Sequence, residues 1–461
     1  MLVAGVDSST QSTKVLLCQA DDGAIVGEAA APHPDGTECD PELWWQALAT
    51  AGDGLLDQAD AIGVAAQQHG MVVVDEAGQV IRPALLWNDV RSAPQAAALI
   101  AEMGGPAWWA QQTGSVPPAS FTVTKLRWLA ENEPDAAART AQVMLPHDWL
   151  TWRLGDRAHE PTTDRGDASG TGYFSPATGR WLPKLVETAL GKPAALPRLA
   201  APAEVVARTA AGAALSAGTG DNMGAALGLG LGLGEVVVSI GTSGTAYAVA
   251  DEPAIDSSGA VAGFADATGR FLPLVATINA ARVLTVTARM LGTDADGLSR
   301  LALAAPPGAQ GLVLLPYLDG ERSPNRPRAN GVLRGLTSAN TTQENMARAA
   351  VEAVLCSLAD AIGNLADCGI TAQRVILIGG AARSEAVRRI APQIFGVPVT
   401  VPSPAEYVAL GAARQAAWAL SGAAEPPSWP LSGTAEYTAE PTPQVRAQYA
   451  ALRDATAAWG S

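Results

Sequence analysis

Basic residues are scarce in this sequence. Only 30 Lys and Arg stand against 45 Asp and Glu, a formal net charge of −15 over 461 residues. That balance argues against nucleic acid or an anionic membrane as partner, because either needs a basic face. Cysteine and histidine are scarce as well. Cys18, Cys39, Cys356 and Cys368 show no C-x-x-C spacing, and His33, His69, His147 and His159 are dispersed, so no structural metal framework is expected. No basic segment ahead of an apolar stretch opens the chain, so no signal peptide is visible. The longest apolar-looking stretch, Met223 to Gly234, is rich in glycine, stops at Glu235 and is too short to span a bilayer. The expectation is a soluble, cytoplasmic chain. No interface is defined by the pattern, and the oligomeric state stays open, a homodimer included.

What is present is a short turn that occurs twice. Val3-Ala4-Gly5-Val6-Asp7-Ser8-Ser9-Thr10-Gln11-Ser12-Thr13-Lys14-Val15 stands near the N-terminus, and Val236-Val237-Val238-Ser239-Ile240-Gly241-Thr242-Ser243-Gly244-Thr245 at mid-chain. Each is an apolar run, a small Gly/Ser/Thr turn and a second apolar run, the pattern of a β-hairpin. Its tip exposes backbone N–H groups and hydroxyls that can converge on phosphate oxygens. Two copies about half a chain apart suggest a duplicated domain gripping one phosphate chain from both sides. With 48% hydrophobic residues each half can bury its own core.

The first hairpin is followed by a candidate strand at Gly23 to Ala29, a helix from Pro41 to about Asp57, and a buried strand at Ala61 to Ala66. Three strands, a helix, then a strand is the opening order of an actin-like ATPase domain. The second half repeats it in outline, with its own hairpin and a later strand, Val375 to Ile378, followed by Gly379-Gly380. A long Ala/Leu-rich helix is expected over Thr342 to Ala366, and a terminal one over Val445 to Trp459. The Pro- and Ala-rich segment Pro193 to Ser216 suggests the boundary, giving domains 1–216 and 217–461. The Gly228 to Gly234 run lacks the strand–loop–helix order of a dinucleotide loop, and predicts close packing where a helix meets the sheet.

Several polar residues could carry chemistry. Asp7 can hold Mg²⁺ beside the first turn, or serve only as a turn-forming carboxylate. Lys14 either reaches a phosphate or is a solvated strand residue. In Gly218-Thr219-Gly220-Asp221-Asn222, Asp221 opens a helix, as a cap or as a general base whose pKa the helix N-terminus would depress. Gln67-Gln68-His69-Gly70 ends a buried strand, where α/β sheets bind ligands. With Trp87-Asn88-Asp89 and Arg91 it supplies amides, carboxylates and an indole, the groups a sugar needs.

Taken together and in order, these motifs resemble the FGGY carbohydrate kinases. The resemblance continues through Leu145-Pro146-His147-Asp148-Trp149-Leu150, Asp167-Ala168-Ser169-Gly170-Thr171, Leu315-Pro316-Tyr317, Gly379-Gly380-Ala381-Ala382 and Ala409-Leu410-Gly411. It implies an α/β fold of two actin-like (ribonuclease H-like) ATPase domains with a cleft between them, using ATP and Mg²⁺. The implied reaction is phosphorylation of the terminal hydroxyl of a ketopentose, D-xylulose as the best guess. The resemblance makes Asp221 the catalytic base and puts Asp7 at the metal. It places Ser9, Thr10, Lys14, Gly241, Thr242, Ser243, Gly379, Gly380 and Ala381 around ATP. The sugar falls to Gln68, His69, Trp87, Asp89, Asp221 and Asn222. Three positions depart from the family pattern: Ser9 replaces a Gly of the first turn, Gln68 a Met, and Ala381 a third Gly. Rival readings are a family member acting on ribulose, gluconate, glycerol or a deoxysugar, an actin- or heat-shock-like ATPase switch, and a sugar sensor that lost transfer.

Overall fold

The computed structural model describes residues 1–459, and they divide into two compact α/β units. The first comprises residues 1–231, 250–272 and 405–430; the second comprises 232–249, 273–404 and the described residues from 431 onward. The first unit therefore takes in the helix Asp221–Leu229 and receives a distant helix, Tyr407–Ser421, from the far end of the chain.

The first sheet is built around Leu2–Ser8. That strand pairs antiparallel with Ser12–Gln19, which pairs antiparallel with Ile25–Pro32. On its other side it runs parallel to Ala61–Ala66, and Ala214–Ser216 runs parallel to that strand. Alternation assigns the faces. Ala4, Val6, Val15 and Leu17 meet Trp44 and Leu48 of the helix Pro41–Gly52, while Val3, Leu16 and Cys18 meet Ala409, Ala413 and Ala416. The second helix lies so close that a Cβ on Gly63 would stand 2.1 Å from Ala412 O.

Three expectations need adjusting. The helix from Pro41 ends at Gly52, not near Asp57; Gly54 takes φ +68° and Leu56–Gln58 forms a separate 3₁₀ turn. Gly228 does serve close packing, but against a helix: a Cβ there would stand 2.1 Å from Tyr407 O. Met223 to Gly234, though uninterrupted, is not the segment that best meets the length needed to span a bilayer. Gln343–Asp367 is long and apolar enough to cross a bilayer by length and composition, and it is mostly buried inside the protein.

In the second unit the strands run Phe271–Thr277, Gly244–Ala248, Glu235–Ile240, Arg374–Ile378, Val399–Val401 and Ala435–Tyr437. Glu235–Ile240 is antiparallel to Gly244–Ala248 and parallel to Arg374–Ile378, the same local plan as the first sheet. The helix Gln343–Asp367, capped by Thr342 accepting from Asn345 N, packs in this unit. So does the terminal helix Pro443–Ala455, tied to it by Arg453 and Asp360 at 2.5 Å.

Candidate active site

Parallel strands end together, and the first sheet uses that to assemble its polar residues. Leu2–Ser8 and Ala61–Ala66 run in register from Val3↔Ala61 to Ser8↔Ala66, and Thr219–Gly220 extends alongside Ala65 and Ala66. Asp7, Gln67-Gln68-His69 and Asp221 therefore emerge at one edge, the usual ligand edge of a parallel sheet.

Asp7 is buried and accepts from Ser9 Oγ at 2.5 Å. Burial pushes its pKa up to about 6, against the pull of Ser9 and Lys14. Asp221 is the first residue of its helix, and its Oδ1 accepts from Asn222 N at 2.8 Å and Asn222 Nδ2 at 2.9 Å. The expected depression of its pKa is not found. Burial first, and the charge of Asp7 second, outweigh these bonds and raise it to about 7. Two carboxylates that each resist ionisation form a site that a divalent cation would relieve.

The surrounding residues are tied into this pair. Gln68 Oε1 accepts from Asn222 Nδ2 at 3.2 Å. His69 Nδ1 lies 2.6 Å from Gly170 O, and its ring stacks on Phe121 at 4.6 Å with Phe264 at 5.8 Å. His69 takes φ +68°, and its carbonyl is held there by Lys125 Nζ at 2.7 Å and Thr122 Oγ1 at 3.3 Å. Trp87 Nε1 donates to Thr10 Oγ1 at 2.7 Å, which lies 3.4 Å from Gln67 Oε1. Amides and an imidazole thus share the sheet edge with Asp221, and the Trp87 indole is tied to the first turn, a set suited to polyol hydroxyls with aromatic faces for the carbons.

Two residues stand differently from the rest. Lys14 pairs with Glu406 at 2.5 Å. Asp89 is buried and committed to Arg91, accepting from its N at 3.0 Å and its Nε at 2.9 Å. Burial works to raise its pKa, but the Arg91 bonds prevail and lower it. Ser9 keeps φ below zero, so it holds the turn without the freedom of a Gly.

The second unit brings the remaining positions to one edge of its own sheet. Gly241, Thr242 and Ser243 form the hairpin tip beyond the last pair, Ile240↔Gly244, with Thr242 and Ser243 exposed. Gly379 follows Arg374–Ile378 with φ +90°, and a Cβ there would stand 2.7 Å from the Ile240 backbone. Gly380 and Ala381 open a short 3₁₀ turn, where Ala381 keeps φ below zero. Replacing a third glycine at Ala381 therefore brings no backbone strain.

Several site residues went unassigned in the sequence. Phe121, Phe264 and Lys125 carried no motif, although a lysine on the buried face of helix Thr122–Asn132 is itself unusual. Behind Gln68 lies a fully buried group, His147, Asp148, Asp164 and Asp167. These four fall in or beside the quoted motifs, but spacing alone does not bring them together.

Comparison with known proteins gives the same picture. Residues 2–230 match the N-terminal domain, and residues 236–420 the C-terminal domain, of the FGGY family of carbohydrate kinases. The xylulose kinase of Streptomyces coelicolor is 46% identical over 437 residues, covering 91% of this chain and 88% of that protein. The crystal structure of xylulose kinase from Bifidobacterium adolescentis superposes with a TM-score of 0.93 at 44% identity, covering 98% of this chain and 99% of that one. A gluconate kinase from Lactobacillus acidophilus, at 23% identity, shares the fold with a TM-score of 0.87, covering 100% of this chain and 99% of its own. The chain belongs to the FGGY family of carbohydrate kinases, ATP-dependent enzymes that phosphorylate sugars.

Proposed function

We propose that this chain transfers the terminal phosphoryl group of ATP to the terminal hydroxyl of a ketopentose, with D-xylulose as acceptor. The observation that carries the reading is Asp221: a carboxylate at about 7, beside Asp7 and among Gln68, His69 and Asn222. The xylulose kinases similar to this chain supply the choice of sugar.

In this reading Asp221 takes the hydroxyl proton as the new P–O bond forms. The bond from the γ-phosphorus to the bridging oxygen breaks, and ADP leaves. A group at about 7 is a better base than an ordinary aspartate and is still substantially ionised at neutral pH. General-base help contributes about 10²- to 10⁴-fold, with positioning and charge stabilisation making up the rest. Asp7, with Ser9 and Thr10 nearby, would hold a Mg²⁺ that offsets phosphate charge. Gln68, His69, Trp87 and Asn222 orient the sugar. Asp89 acts through Arg91, and Lys14 through its pair with Glu406, at the border of the phosphate turn. Gly241 to Ser243 and Gly379 to Ala381 supply backbone donors and close approach for ATP.

The test is ADP release with Mg-ATP, first without sugar and then with a panel headed by D-xylulose. Strong stimulation by D-xylulose alone is expected. Stimulation by ribulose, gluconate or glycerol instead moves the specificity but keeps the mechanism. Steady hydrolysis that no sugar changes would overturn the kinase reading in favour of an ATPase switch.

A further inference from the structure

The residues behind Gln68 form a buried chain that ends at Asp221. His147 is wholly buried, with Nδ1 2.6 Å from Asp167 Oδ2 and Nε2 3.2 Å from Asp148 Oδ1. Nδ1 makes a hydrogen bond to Asp167, whereas Nε2 and Asp148 Oδ1 form none despite their proximity. Burial works against a charge on the ring, but Asp148, Asp167 and Asp164 prevail and push its pKa to about 9. His147, Asp148 and Asp167 offer ligand atoms within 4.8 Å of one another, and Nδ1 is already committed to Asp167.

Asp167 is thereby held as an acceptor. Its backbone N and that of Gly166 donate to Asp164, which also accepts from Thr219 Oγ1 at 2.8 Å, so the turn carrying it is fixed. Asp167 Oδ1 is buried with no hydrogen-bond partner, and so is Gln68 Nε2. These two side chains meet over Gly220, where a Cβ would stand 3.0 Å from Gln68 Cδ and 3.2 Å from Asp167 Oδ1. With Oε1 taken by Asn222, Nε2 is the end of the amide left for the carboxylate, and Gln68 favours the ionised form of Asp167.

Polarity then propagates. With Nε2 toward Asp167, Gln68 presents Oε1 to Asn222 Nδ2 at 3.2 Å. The same Nδ2 reaches Asp221 Oδ1 at 2.9 Å. Both amide hydrogens of Asn222 are thus engaged, and the group it can offer a sugar hydroxyl is its carbonyl oxygen. Asp221 Oδ1 accepts two bonds from Asn222, which leaves Oδ2 as the oxygen for the proton. Reversing one amide would set donor against donor at Gln68 and Asn222, or acceptor against acceptor at Asp221.

We propose that Asp167, anchored by His147, is a positioning residue that fixes the polarity of the Gln68–Asn222 chain and so selects Asp221 Oδ2 as the proton acceptor. The inference rests on the kinase reading above.

The test is a double-mutant cycle. Wild type, Asp167→Asn, Gln68→Met and the double variant are assayed by ADP release with D-xylulose, with kcat and both KM values measured. In Asp167→Asn the new carbonyl stays toward His147, so its NH₂ opposes Gln68 Nε2 and turns the chain. About a tenfold loss in kcat/KM for the sugar is expected, with KM for ATP unchanged. Methionine carries no polarity, so in the Gln68→Met background the same change should cost less than about twofold. Equal losses in both backgrounds would overturn the chain and leave Asp167 a purely structural group. If Asp167→Asn does not fold, Gln68→Glu serves. A polarity role makes this near-isosteric acceptor worse than Met, whereas a shape role makes it milder, and the latter result overturns the proposal. A wild type that no sugar stimulates overturns the kinase reading and this inference with it.

Discussion

The two hairpins share a plan and differ in charge. In the first, Asp7 stands one pair before the end, opposite Lys14; in the second, the corresponding place is Ser239, opposite Thr245. The first tip therefore has two carboxylates beside it, buried Asp7 and half-buried Asp221, while the second offers exposed Thr242 and Ser243 beside the glycines at 379 and 380. One hairpin plan thus carries two kinds of tip. The first holds charge at a desolvation cost, and the second presents neutral donors at little cost.

The largest effect should come from the charged end. Asp221→Ala is expected to reduce transfer by about 10²-fold or more while calorimetry finds ADP binding nearly unchanged. Near-normal turnover would falsify the assignment of the base. Asp7→Asn should cost less in kcat at high Mg²⁺ than at low, so a Mg²⁺ titration separates a metal-holding role from a turn-forming one. At the neutral end, Gly379→Ala forces a side chain into φ +90° against the Ile240 backbone. It should cost about 1–3 kcal/mol of stability before any clash, seen as a lowered Tm. Gly380→Ala points into open space and should leave Tm almost unmoved. If both glycine variants behave alike, the contrast within this loop is wrong.

Two pH effects sharpen the comparison further. If Asp221 is the base that the proposed function makes it, kcat/KM for the sugar should fall as pH drops below about 7, instead of near the ordinary aspartate range. His147 is raised from 6.5 to about 9 by its carboxylates. Its contribution to stability is complete below 6.5 and is lost as pH rises through about 9, so Tm should decline over that window. His147→Gln should flatten the decline. A smaller effect is expected from Ser243→Ala, about threefold in KM for ATP, because an exposed hydroxyl is one donor among several.

The sequence by itself determined the local pieces. The two hairpins, the buried strand Ala61–Ala66 and the long helix Gln343–Asp367 all lie where apolar runs and turn residues predict them. Periodicity and turn chemistry act over a few residues, so a sequence displays them directly. The ordered motifs also identified the family. Long-range packing decided the rest. Helix Tyr407–Ser421 covers the first sheet from nearly 400 residues away in the chain, which no local pattern announces. The same packing gave Lys14 its partner Glu406, held Asp89 on Arg91, and raised Asp221 where a helix start alone would have lowered it. It also gathered His147, Asp148, Asp164 and Asp167 behind Gln68. A side chain's charge state and free hydrogen-bond faces depend on what surrounds it in space, and those surroundings exist only once the chain has folded.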